Sequence, residues 1–177
     1  DRSWMQYSLD QYDGYDPGIV IPESIANNKV SATVDLPFNN TATNSPIVYA
    51  PQLLGFAIGR LFNLRSGTTY RLAEICMIAV YALLMYCAVM TLPKWRIPVG
   101  LLLCVPQMLR LASFSISADS LTQAVMILFS CLLFRGIIGK RSQRGAVALA
   151  VTSVLLATCK FVYMPLVLLV IPLMFDR

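Results

Sequence analysis

The sequence predicts an all-α integral membrane protein with about five transmembrane helices, some of them short, preceded by an extracytoplasmic loop region with interfacial helices. Three observations predict it. Five apolar stretches, at roughly 73–92, 97–110, 120–138, 145–159 and 161–175, follow one another across breaks too short to fold independently. Hydrophobic residues make up 57% of the chain and charged ones 13%, and at a mean hydropathy of +0.66 a soluble domain would lack the polar surface to cover itself. Charge is also unevenly divided. Six of the nine acids, Asp1, Asp10, Asp13, Asp16, Glu23 and Asp35, precede residue 73, whereas most of the fourteen Lys and Arg lie among or beside the apolar stretches. The chain therefore separates into a loop and interfacial-helix region over 1–72 and a transmembrane region over 73–177.

In the head, WMQYSLDQY at 4–12 suits a short helix that the turn-rich GYDPG at 14–18 would end. Residues 27–46 read as loop with one short strand at KVSATVDL, and Asn39-Asn40-Thr41 fits a glycosylation sequon of low specificity. From Tyr49 to Leu64 the apolar residues recur at helical spacing between cationic ends at Arg60 and Arg65, which suits a helix along the outer interface. Within it Gly55 and Gly59 form G-x-x-x-G, a spacing for close helix packing.

The breaks set an orientation. Lys94 and Arg96, the run Arg135 to Arg144, and Arg177 close alternate spans, which places those ends in the cytoplasm and the acidic head outside. An outside head with no apolar run before residue 50 implies a span upstream, so the chain reads as a fragment of a larger protein. The basic loop Lys140, Arg141, Arg144 is a positive-inside loop, and no nucleic-acid partner is expected.

Chemistry is restricted by what the chain contains. There is no histidine, so a Ser-His-Asp triad, a His-ligated metal and a His general base are excluded within these residues. Cys76, Cys87, Cys104, Cys131 and Cys159 all fall in apolar segments without C-x-x-C spacing and read as small core residues. No metal-ligand set is assigned, and the need for a divalent metal is left open.

Two spans are short. Fourteen or fifteen residues, as at 97–110 and 145–159, reach about 22 Å against a hydrocarbon core of about 30 Å. Short spans meeting at the outer face would leave a water-accessible recess, and the charges at those ends are Arg71 with Glu74, Arg110 with SFSISADS and Asp119, and Lys160 with Tyr163. Each has a structural alternative: Arg71 snorkels or pairs with Glu74, Arg110 pairs with Asp119, and Lys160 anchors at the interface. Taken together, three cations on the side that should be poor in them suit an anionic headgroup. A phosphate or diphosphate on a lipid carrier is the anion that reaches this depth.

The segments SPIVYAPQLLGFAIGRLF at 45–62, TYRLAEICMIAVYALLMYCAVMTLP at 69–93, VPQMLRLASFSISADSLTQAVMILF at 105–129 and CKFVYMPLVLLV at 159–170 together resemble the bacterial membrane-protein family catalogued as domain of unknown function two-one-four-two. That family is similar to the C-type glycosyltransferases (GT-C), multi-pass enzymes of the cytoplasmic membrane that transfer sugar from a polyprenyl-phosphate donor on the outer face. Upstream, the family shows Asp-Glu, a nearby His and a later Gly. Asp1 and Gly14 take the Asp and Gly places, whereas Arg2 and Met5 stand where Glu and His are usual.

The resemblance implies a GT-C-like fold and transfer of sugar to a cell-envelope glycan or lipid, with the polyprenyl-phosphate sugar as donor substrate and membrane lipids as surroundings. A phosphate leaving group needs cations, and the acceptor hydroxyl needs one carboxylate. On that scheme Asp1 is the base, with Asp10 or Asp13 as alternatives, and Arg71, Arg110 and Lys160 hold the phosphate. Asp119, Glu74 and Tyr163 support them, Asp119 by orienting Arg110 or the preceding serines. The alternatives are a non-enzymatic transporter or flippase component for lipid-linked glycans, which would use the cations without a base, and a structural membrane subunit.

Overall fold

The computed structural model describes residues 44–104, 117–138 and 142–170. Asp1, Asp10, Asp13, Arg110, Lys140, Arg141 and Arg177 lie outside the described residues, as do the expected head helix, its turn, the strand and the sequon. Among the described residues all regular structure is helical.

The first element is a 3-10 turn, Pro46–Tyr49, with Pro at its start, where a missing N–H is harmless. Ser45 caps it, its Oγ accepting from the Ile47 N–H at 3.4 Å. Helix α1, Ala50–Leu61, follows directly. It ends in a Schellman motif: the Leu64 N–H donates to Gly59 O at 2.9 Å and the Asn63 N–H to Arg60 O at 3.2 Å. Asn63 takes the left-handed position at φ 50°, where asparagine is tolerated.

Helix α2, Ser66–Thr91, begins earlier than the apolar stretch alone suggests. Its 26 residues span about 39 Å, more than a hydrocarbon core of about 30 Å. Gly55 and Gly59 seat α1 on it. A Cβ on Gly55 would lie 2.4 Å from Ala73 Cα, and one on Gly59 would lie 2.4 Å from Thr69 Cγ2. Because 55 meets 73 while 59 meets 69, the two helices are antiparallel arms of one hairpin. The helix expected along the interface thus packs closely against the first turns of α2.

Trp95 at φ 67° turns the chain into α3, Arg96–Leu103, and the Arg96 Nε donates to Leu92 O at 2.7 Å, satisfying an end carbonyl of α2. The remainder of the expected 97–110 stretch lies outside the described residues. Helices α4, Ala118–Ile138, and α5, Gln143–Cys159, form the next hairpin. Ser142 caps α5 by accepting from the Gly145 N–H at 3.1 Å. Beyond Lys160 the expected helix from 161 is less regular than the periodicity suggests. It divides into a 3-10 turn Phe161–Tyr163, the four-residue α6 Met164–Val167 and a 3-10 turn Leu168–Val170. Pro165 supplies no N–H and crowds the preceding turn, which breaks the α ladder there.

The core is a seam of α2 against α4, closed by α5. Met77, Tyr81, Met85, Ala88 and Leu92 of α2 meet Leu121, Val125, Phe129 and Leu132 of α4, with Leu149 and Leu156 from α5. The opposite side of α2 exposes Ile75, Ile78, Leu83, Tyr86 and Met90. Water would make that surface costly, whereas lipid is as apolar as the core, and in lipid close packing holds the helices together.

Candidate functional site

The α4–α5 hairpin brings the start of one helix to the end of the other. Asp119 stands in the first turn of α4 and Lys160 is the C-cap of α5, so each charge opposes the partial charge of its own helix end. Lys160 Nζ donates to Asp119 Oδ1 across 41 residues of sequence. The Asp119 N–H donates to Ser117 Oγ at 3.1 Å, and the Ser117 hydroxyl returns a bond to Asp119 Oδ2 at 3.4 Å. Of the two expected partners of Asp119, the serines contribute through Ser117; Arg110 is outside the described residues.

The side chain of Lys160 is 27% exposed and that of Asp119 69%. The Asp119 hydrogen bond holds the ammonium above the ordinary lysine range while partial burial pulls it down, and Tyr163 and Tyr49 lie close enough to add to the upward shift. An ammonium has three donors. Asp119 engages one, and the side chain keeps an open flank toward the rim.

The floor beneath the pair is built from three elements. Val48, Ala118 and Cys159 pack together, all buried, with Tyr49 and Leu155 against them, and the Thr122 hydroxyl donates to Ala118 O at 2.8 Å. Gln52, 1% exposed, donates Nε2 to Ser117 O at 3.4 Å and thereby ties α1 to the segment that orients Asp119. Its Oε1 is buried without a partner among the described residues. Gln52 and Tyr49 escaped the sequence reading. The one signal for Gln52 was an amide within the largely apolar stretch from Ala50 to Ile58.

Arg71 is exposed on α2, one turn before the half-buried Glu74, which feels its charge. The α1–α2 register places Gln52 opposite residue 76, so Arg71 stands about 8 Å along α2 from the level of Gln52. Asp119, Lys160 and Tyr163 are thus gathered, with Arg71 and Glu74 farther out on a neighbouring helix. Among the described residues no three Cys, Asp or Glu side chains gather as a metal-holding group. Cys131 and Cys159 are buried as core residues, whereas Cys104 is exposed.

A family profile described as "Predicted membrane protein (DUF2142)" matches residues 23–176. The chain belongs to the DUF2142 family. No curated protein and no solved structure matches it. Among the described residues of this DUF2142 chain two helices, Ser66–Thr91 and Ala118–Ile138, are long and apolar enough to cross a membrane, and Gln143–Cys159 and Phe161–Val170 are shorter apolar helices.

Proposed function

We propose that this chain is part of a membrane glycosyltransferase that moves sugar from a polyprenyl-phosphate donor to a cell-envelope glycan or lipid acceptor, and that Lys160 binds the donor phosphate. The observation carrying this reading is the Lys160–Asp119 pair at the rim of the bundle, where Asp119 orients an ammonium that keeps donors free. The resemblance of the family to GT-C enzymes supplies the reaction class. In this reading the head of residues 1–72 and the pair face outside, and the basic ends at Lys94, Arg96, Arg135 and Arg144 face the cytoplasm. About five spans belong to this chain.

The chemistry follows from charge. The leaving phosphate gathers negative charge as the glycosidic bond breaks, and Lys160, with Arg71 and Arg110, stabilises it there. One carboxylate of the head, Asp1 with Asp10 and Asp13 as alternatives, takes the proton of the acceptor hydroxyl. The test uses the intact protein in membranes and a fluorescent polyprenyl phosphate as probe. Lys160→Met should weaken probe binding about tenfold or more, and Asp1→Asn should leave binding unchanged while lowering transfer about a hundredfold. Unchanged probe binding by Lys160→Met would remove Lys160 from the site.

A further inference from the structure

At the other end of the bundle, about 22 Å along α4 from Asp119, a groove of about 510 Å³ opens between α2, α3 and α4. Its walls are apolar: Leu92, Trp95, Val99, Leu102, Cys131 and Phe134 line it. The volume lies within the range of about 300–1,000 Å³ typical of ligand sites. Because Leu92 and Trp95 at the end of α2 share this groove with Cys131 and Phe134 at the end of α4, both long helices finish here.

Three cations adjoin lining residues of the groove in the sequence. Lys94 and Arg96 flank Trp95, and Arg135 follows Phe134 in the last turn of α4. The described acids, Glu74 and Asp119, belong to the first halves of α2 and α4 and are remote from it. Arg96 gives its Nε to Leu92 O, which fixes the guanidinium beside the groove and leaves its remaining N–H donors for another acceptor. Trp95 is held at φ 67° and is 68% exposed. A left-handed conformation costs a bulky residue about 1–2 kcal/mol, and the ring it exposes is of the amphipathic kind enriched where hydrocarbon meets headgroups.

We propose that this groove binds one anionic phospholipid, an acyl chain lying along Leu102, Cys131 and Phe134 and the phosphate held by Arg96 and Arg135 with Lys94 beside them. The charge pattern selects the occupant. An apolar helix of the same protein covering the groove would offer the three neighbouring cations no counter-charge, whereas a lipid phosphate supplies one. Basic pockets between membrane helices take anionic headgroups for this reason. The inference rests on the membrane character of the chain and not on the identity of the substrate at the Lys160 rim.

The experiment is native mass spectrometry of the intact protein, extracted from vesicles of equal phosphatidylglycerol and phosphatidylcholine. The parental protein should retain phosphatidylglycerol in preference. Arg96→Gln with Arg135→Gln should reduce its retention about tenfold or more, leaving phosphatidylcholine unchanged, while Arg60→Gln on α1 should have no effect. Equal retention of the two lipids by the parental protein would overturn the proposal, as would undiminished phosphatidylglycerol in the double variant. A photo-crosslinking residue at Leu102, with all cations intact, should capture lipid. Capture of another segment of the protein would assign the groove to helix packing instead.

Discussion

Replacing Gly55 by alanine tests the α1–α2 hairpin at its closest point. The added carbon would lie 2.4 Å from Ala73 Cα, 2.6 Å from Ala73 N and 2.9 Å from Leu72 C. Carbon atoms rest at about 3.5–4.0 Å, so the methyl intrudes by about 1 Å, and every atom it meets is backbone. No rotamer change relieves that. The helices must part, drawing Gln52 from Ser117 and Val48 from Cys159. Overpacking costs about 1–3 kcal/mol, and with only backbone in contact the upper part of that range, about 2–3 kcal/mol, applies; the preference of alanine over glycine in a helix returns about 1 kcal/mol, leaving a net loss of about 1–2 kcal/mol. For a chain of this size each kcal/mol moves the melting temperature by about 2–4 °C. Thermal unfolding of the intact protein in detergent should therefore show Gly55→Ala melting about 2–8 °C lower. Gly59→Ala should be partly rescued by Thr69→Ala, since its intruding contacts are with Thr69 side-chain atoms, whereas no side-chain truncation should rescue Gly55→Ala. A Gly55→Ala protein that melts at or above the parental temperature would refute the close packing of α1 on α2.

The Lys160–Asp119 pair has a defined pH dependence. The folded pKa of Lys160 is raised, so the stabilisation is fully present below the ordinary lysine value of about 10.4 and is lost as pH rises through the folded value. With Asp119 largely exposed, its size should fall within about 0–1 kcal/mol. A double-mutant cycle with Asp119→Asn and Lys160→Met should show that coupling at pH 8 and lose it in strong alkali; coupling that grows with pH contradicts the assignment. The Tyr81 hydroxyl is buried with no partner among the described residues. Tyr81→Phe should be neutral or stabilise by up to about 1 kcal/mol, and a loss above 1 kcal/mol in the same melting assay would reveal a missed hydrogen bond. For the proposed orientation, single cysteines at Asn40 and Ser142 in a cysteine-free protein are probed with an impermeant thiol reagent on intact cells. Asn40→Cys should react and Ser142→Cys should not, and the reverse would move the Lys160 rim to the cytoplasm.

Local chemistry alone announced the two long helices. The apolar runs that became α2 and α4 are helical because a backbone in hydrocarbon must satisfy its own N–H and C=O groups, and Ser142 and Pro46 mark helix starts by capping and by fixed φ. Gly55 and Gly59 announced a close contact without naming its partner, because small residues specify how near a helix can come and not which one comes. The candidate site was half legible. Lys160, Asp119 and Tyr163 stood out as polar groups at the edges of apolar runs, but the ammonium paired with Asp119 because α4 and α5 fold back on each other. Gln52 was invisible as a site residue, since only the packing of α1 brings it to Ser117. The groove at the far end also required the fold. In a helix that is apolar all round, periodicity cannot separate the face that meets protein from the face that meets lipid. Only the parallel course of α2 and α4 sets Trp95 and Phe134 around one space, with three cations next to its lining residues in the sequence.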